Sequence, residues 1–312
     1  MTDTTYTIVK AAARKGRILT ADQFSELASA KDLKELANRL RERVPGIDAA
    51  TATIKDFEGA VYKNFLEEVD DFIKASPKFA GLFSLFKREV TDLEKADLVK
   101  AILAKSTGEQ PPGGAKSEEL AKLSAEGYEE EVEEAAKMYE EYKLLGLVDV
   151  VFERQRLLRL WKEAKKAGRE ARGGIRDFLV AKVDFFNVIT ILRGIKNGIP
   201  AVALERMLIY RLGSIPDEEL KGALRQGELE KVIKALSEAG VLGGASPREL
   251  EKGYESILGK ISERAYYRNY TNLGAVMAYL ELKLREARNL VRIANILDRS
   301  LEAKKVLQEF VY

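Results

Sequence analysis

The sequence predicts an all-α fold built from three related helical units, and three observations carry that expectation. Ile54, Phe57, Val61, Tyr62, Phe65, Val69, Phe72 and Ile73 recur at steps of three, four and seven, the spacing of one buried helix face. No segment alternates apolar with polar residues between hairpin turns, so strands have no signature here. One motif occurs three times in the same form: an acid, a short polar residue three positions later, then paired apolar positions.

Taken in order, the first expected elements are a short helix pair over Ile18 to Leu40, entered through Thr20 with Gln23 three residues later. A hydroxyl there caps free amides and a glutamine answers it from the first turn. The long helix around Phe57 to Phe72 follows, stopped at Ser76-Pro77 because proline suits only the first turn of what comes next. The helix after it carries the first motif copy, Glu94-x-x-Asp97-Leu98-Val99-x-Ala101-Ile102. Ser106 to Gly114 (STGEQPPGG) then breaks the chain.

Beyond that break, Ser117-Glu118-Glu119-Leu120 and Val132 form a weaker counterpart of the opening helix pair. Tyr128 to Tyr142 holds seven Glu against one Lys, and Phe152 to Arg172 holds eight Lys or Arg against three Glu. Both are amphipathic, and a connection over Lys143 to Val151 predicts an antiparallel hairpin in which the two charge excesses neutralise each other. The second motif copy is Asp184-x-x-Asn187-Val188-Ile189-x-Ile191-Leu192, followed by a second break at Lys196 to Pro200. Ile215 to Leu236 aligns with Ile18 to Leu40 as another helix pair, Ser246-Pro247-Arg248-Glu249 reads as a capping box, and the third copy is Glu286-x-x-Asn289-Leu290-Val291-x-Ile293-Ala294. The repeat and the breaks divide the chain into units at 1–109, 110–205 and 206–312.

Composition removes most enzyme classes. There is no histidine and no cysteine, which excludes disulfides, structural zinc, thiol nucleophiles and the usual acid/base side chain of neutral pH. Lys plus Arg number 52 against 50 for Asp plus Glu, so no global field draws the chain to nucleic acid or an acidic membrane surface. No apolar run reaches the roughly 20 residues of a membrane-spanning helix, and the first residues have no signal-peptide core.

The remaining features read as structure. Gly108 to Ser117 resembles a phosphate loop, but its Lys116 stands two positions late and two prolines remove amide donors, so it reads as a linker. Glu94, Asp184 and Glu286 are the candidate acids, yet only Glu94 with Asp97 is an acid pair; Asn187 and Asn289 neither titrate nor bind hard cations strongly. A repeated structural hydrogen bond or ion pair is the expectation for all six positions. Tyr266, Tyr267 and Tyr270 lack a basic groove and read as aromatic packing, not base stacking.

Tyr279-Leu280-x-x-Lys283-x-x-Glu286-x-x-Asn289-Leu290-x-x-Ile293 resembles the last helix of the C subunit of archaeal-type rotary ATP synthases, the relative of the d subunit of vacuolar ATPases. Tyr6, Ala13-Arg14 and Gly16-Arg17-Ile18-Leu19 resemble that family's first helix and turn, and Asp184-x-x-Asn187 with Arg193 and Gly198 its central motif. Gly274-Ala275 departs from the bulkier or proline-containing junction common there. The resemblance implies three similar helical-bundle domains in a pseudo-threefold funnel. It implies a non-catalytic central-stalk socket without cofactor, one copy per hetero-oligomer, on the cytoplasmic face of the membrane. Its partners would be the shaft and the membrane proteolipid ring, with no nucleic acid, and its task torque transmission in proton or sodium transport coupled to ATP. The rivals are a helical-repeat scaffold of another assembly, or an all-α carboxylate enzyme whose acids share one pocket.

Overall fold

The computed structural model describes residues 3–47, 53–105, 115–168, 174–238, 258–264, 266–267 and 272–299, and among them every regular element is helical. In chain order these are α1 (Asp3–Lys15), α2 (Ala21–Leu27), α3 (Leu33–Leu40), α4 (Ile54–Ala75), α5 (Ala80–Lys105), α6 (Ala115–Leu123), α7 (Glu129–Tyr142) and α8 (Gly146–Lys166). They continue with α9 (Gly174–Lys196), α10 (Ala201–Met207), α11 (Asp217–Gln226), α12 (Leu229–Glu238), α13 (258–264) and α14 (Leu273–Asp298). None of the described helices is long and apolar enough to cross a membrane. The break at 106–114, the capping box Ser246-Pro247-Arg248-Glu249 and Tyr270 lie outside the described residues.

Contacts group the chain into two units, one of residues 1–87, 164–178 and 254–312, the other of 88–163 and 179–253. In the first, α14 packs on α4, α1 and α3, so segments from both ends of the sequence share one core. Thr20 and Thr53 each close a capping box, with Gln23 and Asp56, and Asp32 caps α3. Phe57, Val61, Phe65, Val69 and Phe72 of α4 are buried, whereas Ile54, Tyr62 and Ile73 are only half-buried. The apolar strip is therefore narrower than the periodicity predicts, because a single helix facing one layer buries about a third of its circumference. Ser76 ends α4, and Pro77 opens a 3₁₀ turn to Phe79. At the far end Asn272 caps α14 by accepting from the Gly274 amide at 2.8 Å, so the helix starts at Leu273 and Gly274-Ala275 lie inside its first turn. Tyr266 and Tyr267 meet edge to face, ring centroids 5.4 Å apart, in the aromatic packing expected of them.

In the second unit α7 and α8 pair antiparallel: Glu134 meets Arg154 at 3.2 Å, and Glu130 and Glu131 meet Arg159 at 3.3 and 2.7 Å. Tyr128 and Phe152 stack beneath these ion pairs with ring centroids 5.8 Å apart. The connection is shorter than the expected Lys143 to Val151. Lys143 turns the chain with φ +58°, and α8 begins at Gly146 because Leu147, Val148, Val151 and Phe152 recur on one buried face. α10 packs back on α9 after the Gly198 turn, φ +69°. The approach is close: a Cβ on Gly194 would lie 2.2 Å from the Leu204 side chain.

Candidate functional site

Motif residues on α9 hold the connection over residues 208–216 that leads from α10 into α11. The Asn187 amide donates to the Ile209 carbonyl and its oxygen accepts from the Ile209 amide, both at 2.8 Å, completing a reciprocal pair around a side chain only 1% exposed. One turn away Asp184 accepts from the Ser214 amide at 2.8 Å, the Ser214 hydroxyl and the Ile215 amide at 3.2 Å. Gly213 is required beneath it, since a Cβ there would stand 2.2 Å from an Asp184 oxygen. A buried carboxylate with three donors is a backbone clamp, not an acid waiting for substrate.

Glu286 of α14 performs the same task in the other unit. It accepts from the Leu19 amide at 3.3 Å and from Lys283 at 2.7 Å, so each of these two acids holds the backbone entering a short helix pair, α2–α3 or α11–α12. Asn289 is buried one turn on, with Arg292 at 3.5 Å. The first copy is placed differently. Glu94 and Asp97 are exposed on α5, and Asp97 meets Lys100 at 2.6 Å. The buried acid and short polar residue of that helix are Glu89 and Asp92, which share the i,i+3 spacing.

Two ionic clusters stand outside the motif. In the first unit Arg14 of α1 meets Glu68 at 3.2 Å and Asp71 at 2.8 Å, both on α4, while the Tyr279 hydroxyl of α14 donates to Glu68. Lys10 and Arg14 also stand over the Phe72 ring, 5.6 and 5.8 Å from its centroid. Burial first, then the Glu68 charge, hold the Tyr279 hydroxyl far above the ordinary tyrosine range. The Arg14 hydrogen bond lowers the Asp71 carboxyl. Arg14, Glu68, Asp71 and Tyr279 line a cleft of about 830 Å³.

In the second unit Glu131 is wholly buried and bridges Arg88 at 2.9 Å and Arg159 at 2.7 Å, with Asp92 on the far side of Arg88 at 3.2 Å. Burial pushes both the Asp92 and Glu131 carboxyls up, while Arg156 and Arg88 pull the former down and Arg88 the latter. Arg88 also lies over the Tyr128 ring at 4.1 Å. A signal for Glu131 exists in the sequence, because it shares the three-and-four spacing of Tyr128, Ala135 and Met138, the buried face of α7.

These arrangements join helices and hold turns. Asp184 and Glu286 lie in different units, each committed to backbone amides, and Glu94 lies on the surface. Among the described residues no group of three or more His, Cys, Asp or Glu is placed to hold a metal ion. What these side chains build is a set of clamped turns and ion-paired helices.

Comparison with known proteins adds a family. Residues 7–309 match the family described as ATP synthase (C/AC39) subunit. The C subunit of the A-type ATP synthase of Pyrococcus abyssi (strain GE5 / Orsay) is 22% identical over 324 residues, covering 94% of this chain and 86% of that protein. Its counterpart of the same name in Thermococcus kodakarensis is 24% identical over 338 residues, covering 98% and 89%.

Proposed function

The chain belongs to the ATP synthase (C/AC39) subunit family, and from that premise we propose that it is the non-catalytic socket of the central stalk in a rotary ATP synthase. The match to residues 7–309, nearly the whole of this chain, carries this reading. In this role the protein sits on the cytoplasmic face of the membrane proteolipid ring, receives the foot of the shaft and passes torque between ion flow and ATP chemistry done elsewhere. The three units at 1–109, 110–205 and 206–312 surround the shaft as a pseudo-threefold funnel, one copy per assembly. Buried clamps such as Asp184 and Asn187 support the reading, because a part that transmits torque needs turns that do not yield.

Mixing the purified chain with the purified shaft protein and measuring mass by light scattering tests the proposal. A one-to-one complex, with no ATP hydrolysis from this chain alone, is the expected result. No complex at moderate salt, three shafts per chain, or robust ATPase activity from the isolated chain would require a different function.

A further inference from the structure

The outward strip of α5 carries two exposed leucines. Leu93 is 64% exposed and Leu98 40%, and Glu94, Asp97 and Ala101 lie exposed between and beside them. At 1.5 Å rise per residue these five positions cover about 12 Å of helix. The opposite side of the same helix, Ala96, Val99 and Leu103, is sunk in the core with Tyr128, Val132 and Phe152. The exposed leucines are thus surplus to the fold, and Leu98 points out of the core that its motif register predicts. Single exposed leucines are ordinary; two on one strip, divided by small and acidic residues, form a patch with a pattern.

Charge says what fits it. The flanking cations are already engaged: Lys95 with Glu126 at 2.6 Å, and Lys100 with both Asp97 at 2.6 Å and Asp149 at 2.8 Å. Counting Glu94, and Lys122 near Glu126, four carboxylates stand against three lysines and leave the strip acidic. A second copy meeting it through the same strip would bring these carboxylates against their own kind, and an anionic lipid surface would repel them. A helix with an apolar stripe edged by Lys or Arg meets both features, its aliphatic side chains against Leu93, Ala101 and Leu98 and its cations toward Glu94 and Asp97. We propose that the Leu93, Glu94, Asp97, Leu98 and Ala101 strip docks a basic amphipathic helix of the shaft. The inference rests on the socket reading for the identity of that partner, and on this strip for the place and the chemistry.

The test is the affinity of the purified shaft protein for three forms of this chain, at low and moderate salt, with thermal melting to check each fold. Beside the unmodified chain stand Leu93→Ser with Leu98→Ser, and Glu94→Lys with Asp97→Lys; all four side chains are exposed, so both variants should melt near the wild type. The expected result is at least a tenfold weaker complex for each variant, and for the charge reversal a flattened salt dependence. Wild-type affinity in both variants overturns the strip as a docking site and leaves the socket intact. If the unmodified chain does not bind the shaft at all, the strip assignment and the socket reading fall together.

Discussion

Asn187 and Asp97 occupy the same motif position and meet opposite fates, which makes them a matched pair for experiment. Asn187→Ala leaves the Ile209 amide and carbonyl buried without their partner, and each such group costs about 1 to 3 kcal/mol. Asp97→Ala, at a side chain 73% exposed, should change stability by less than about 0.5 kcal/mol. Urea unfolding of the two variants checks the contrast, and equal losses would contradict the clamp. Tyr279 supplies a pH prediction. Burial first, then the Glu68 charge and hydrogen bond, hold its hydroxyl proton more tightly in the folded chain than in the unfolded one, so the stability linked to this proton is full below about pH 10, the unfolded value, and is lost as pH rises beyond it. Tyr279→Phe should cost about 1.5 to 3 kcal/mol at pH 8 and flatten the alkaline decline, read from denaturation curves between about pH 8 and 11. A variant as alkali-sensitive as the parent would show that Tyr279 does not carry the effect. Motif spacing locates Asp184, Asn187, Glu286 and Asn289, all buried, but selects Glu94 and Asp97 over Glu89 and Asp92, earlier on the same helix. An i,i+3 spacing states that two residues share a side of a helix; it does not state which side meets the core.

At the scale of elements, the caps and the charge pairing are legible in the sequence because both are local. Thr20 with Gln23 and the acidic and basic helices α7 and α8 need no knowledge of distant chain. The α7–α8 connection reads too long because Leu147, Val148 and Val151 follow a glycine and look like a linker until Phe152 and Leu157 complete their buried face. The contact between α9 and α10 is not legible at all: nothing adjacent to Gly194 announces that Leu204 will press on it. Gly194→Ala should therefore lower stability by about 1 to 3 kcal/mol through overpacking, despite alanine's better helix propensity. Thermal and urea unfolding check it, and a stabilised variant would mean that α10 does not pack against that turn of α9.

For the whole molecule, periodicity identifies the apolar faces and leaves open which faces meet. Leu19 and Glu286 are 267 positions apart, and no pattern within a helix predicts that the last long helix will hold the turn before the second. Only the family resemblance reaches that scale, and the match over residues 7–309 gives the family its footing. The proposed funnel has a shape test of its own. Small-angle scattering of the isolated chain should fit a compact, hollow particle; an elongated rod would favour an open stack of helical repeats. What this chain assembles with decides its function, and native mass spectrometry of the complex purified through a tag on the chain measures that directly. The socket role predicts one copy of this chain together with one shaft, the proteolipid ring and the ATP-handling subunits. A complex that lacks the shaft and ring, or that carries several copies of this chain, would contradict it.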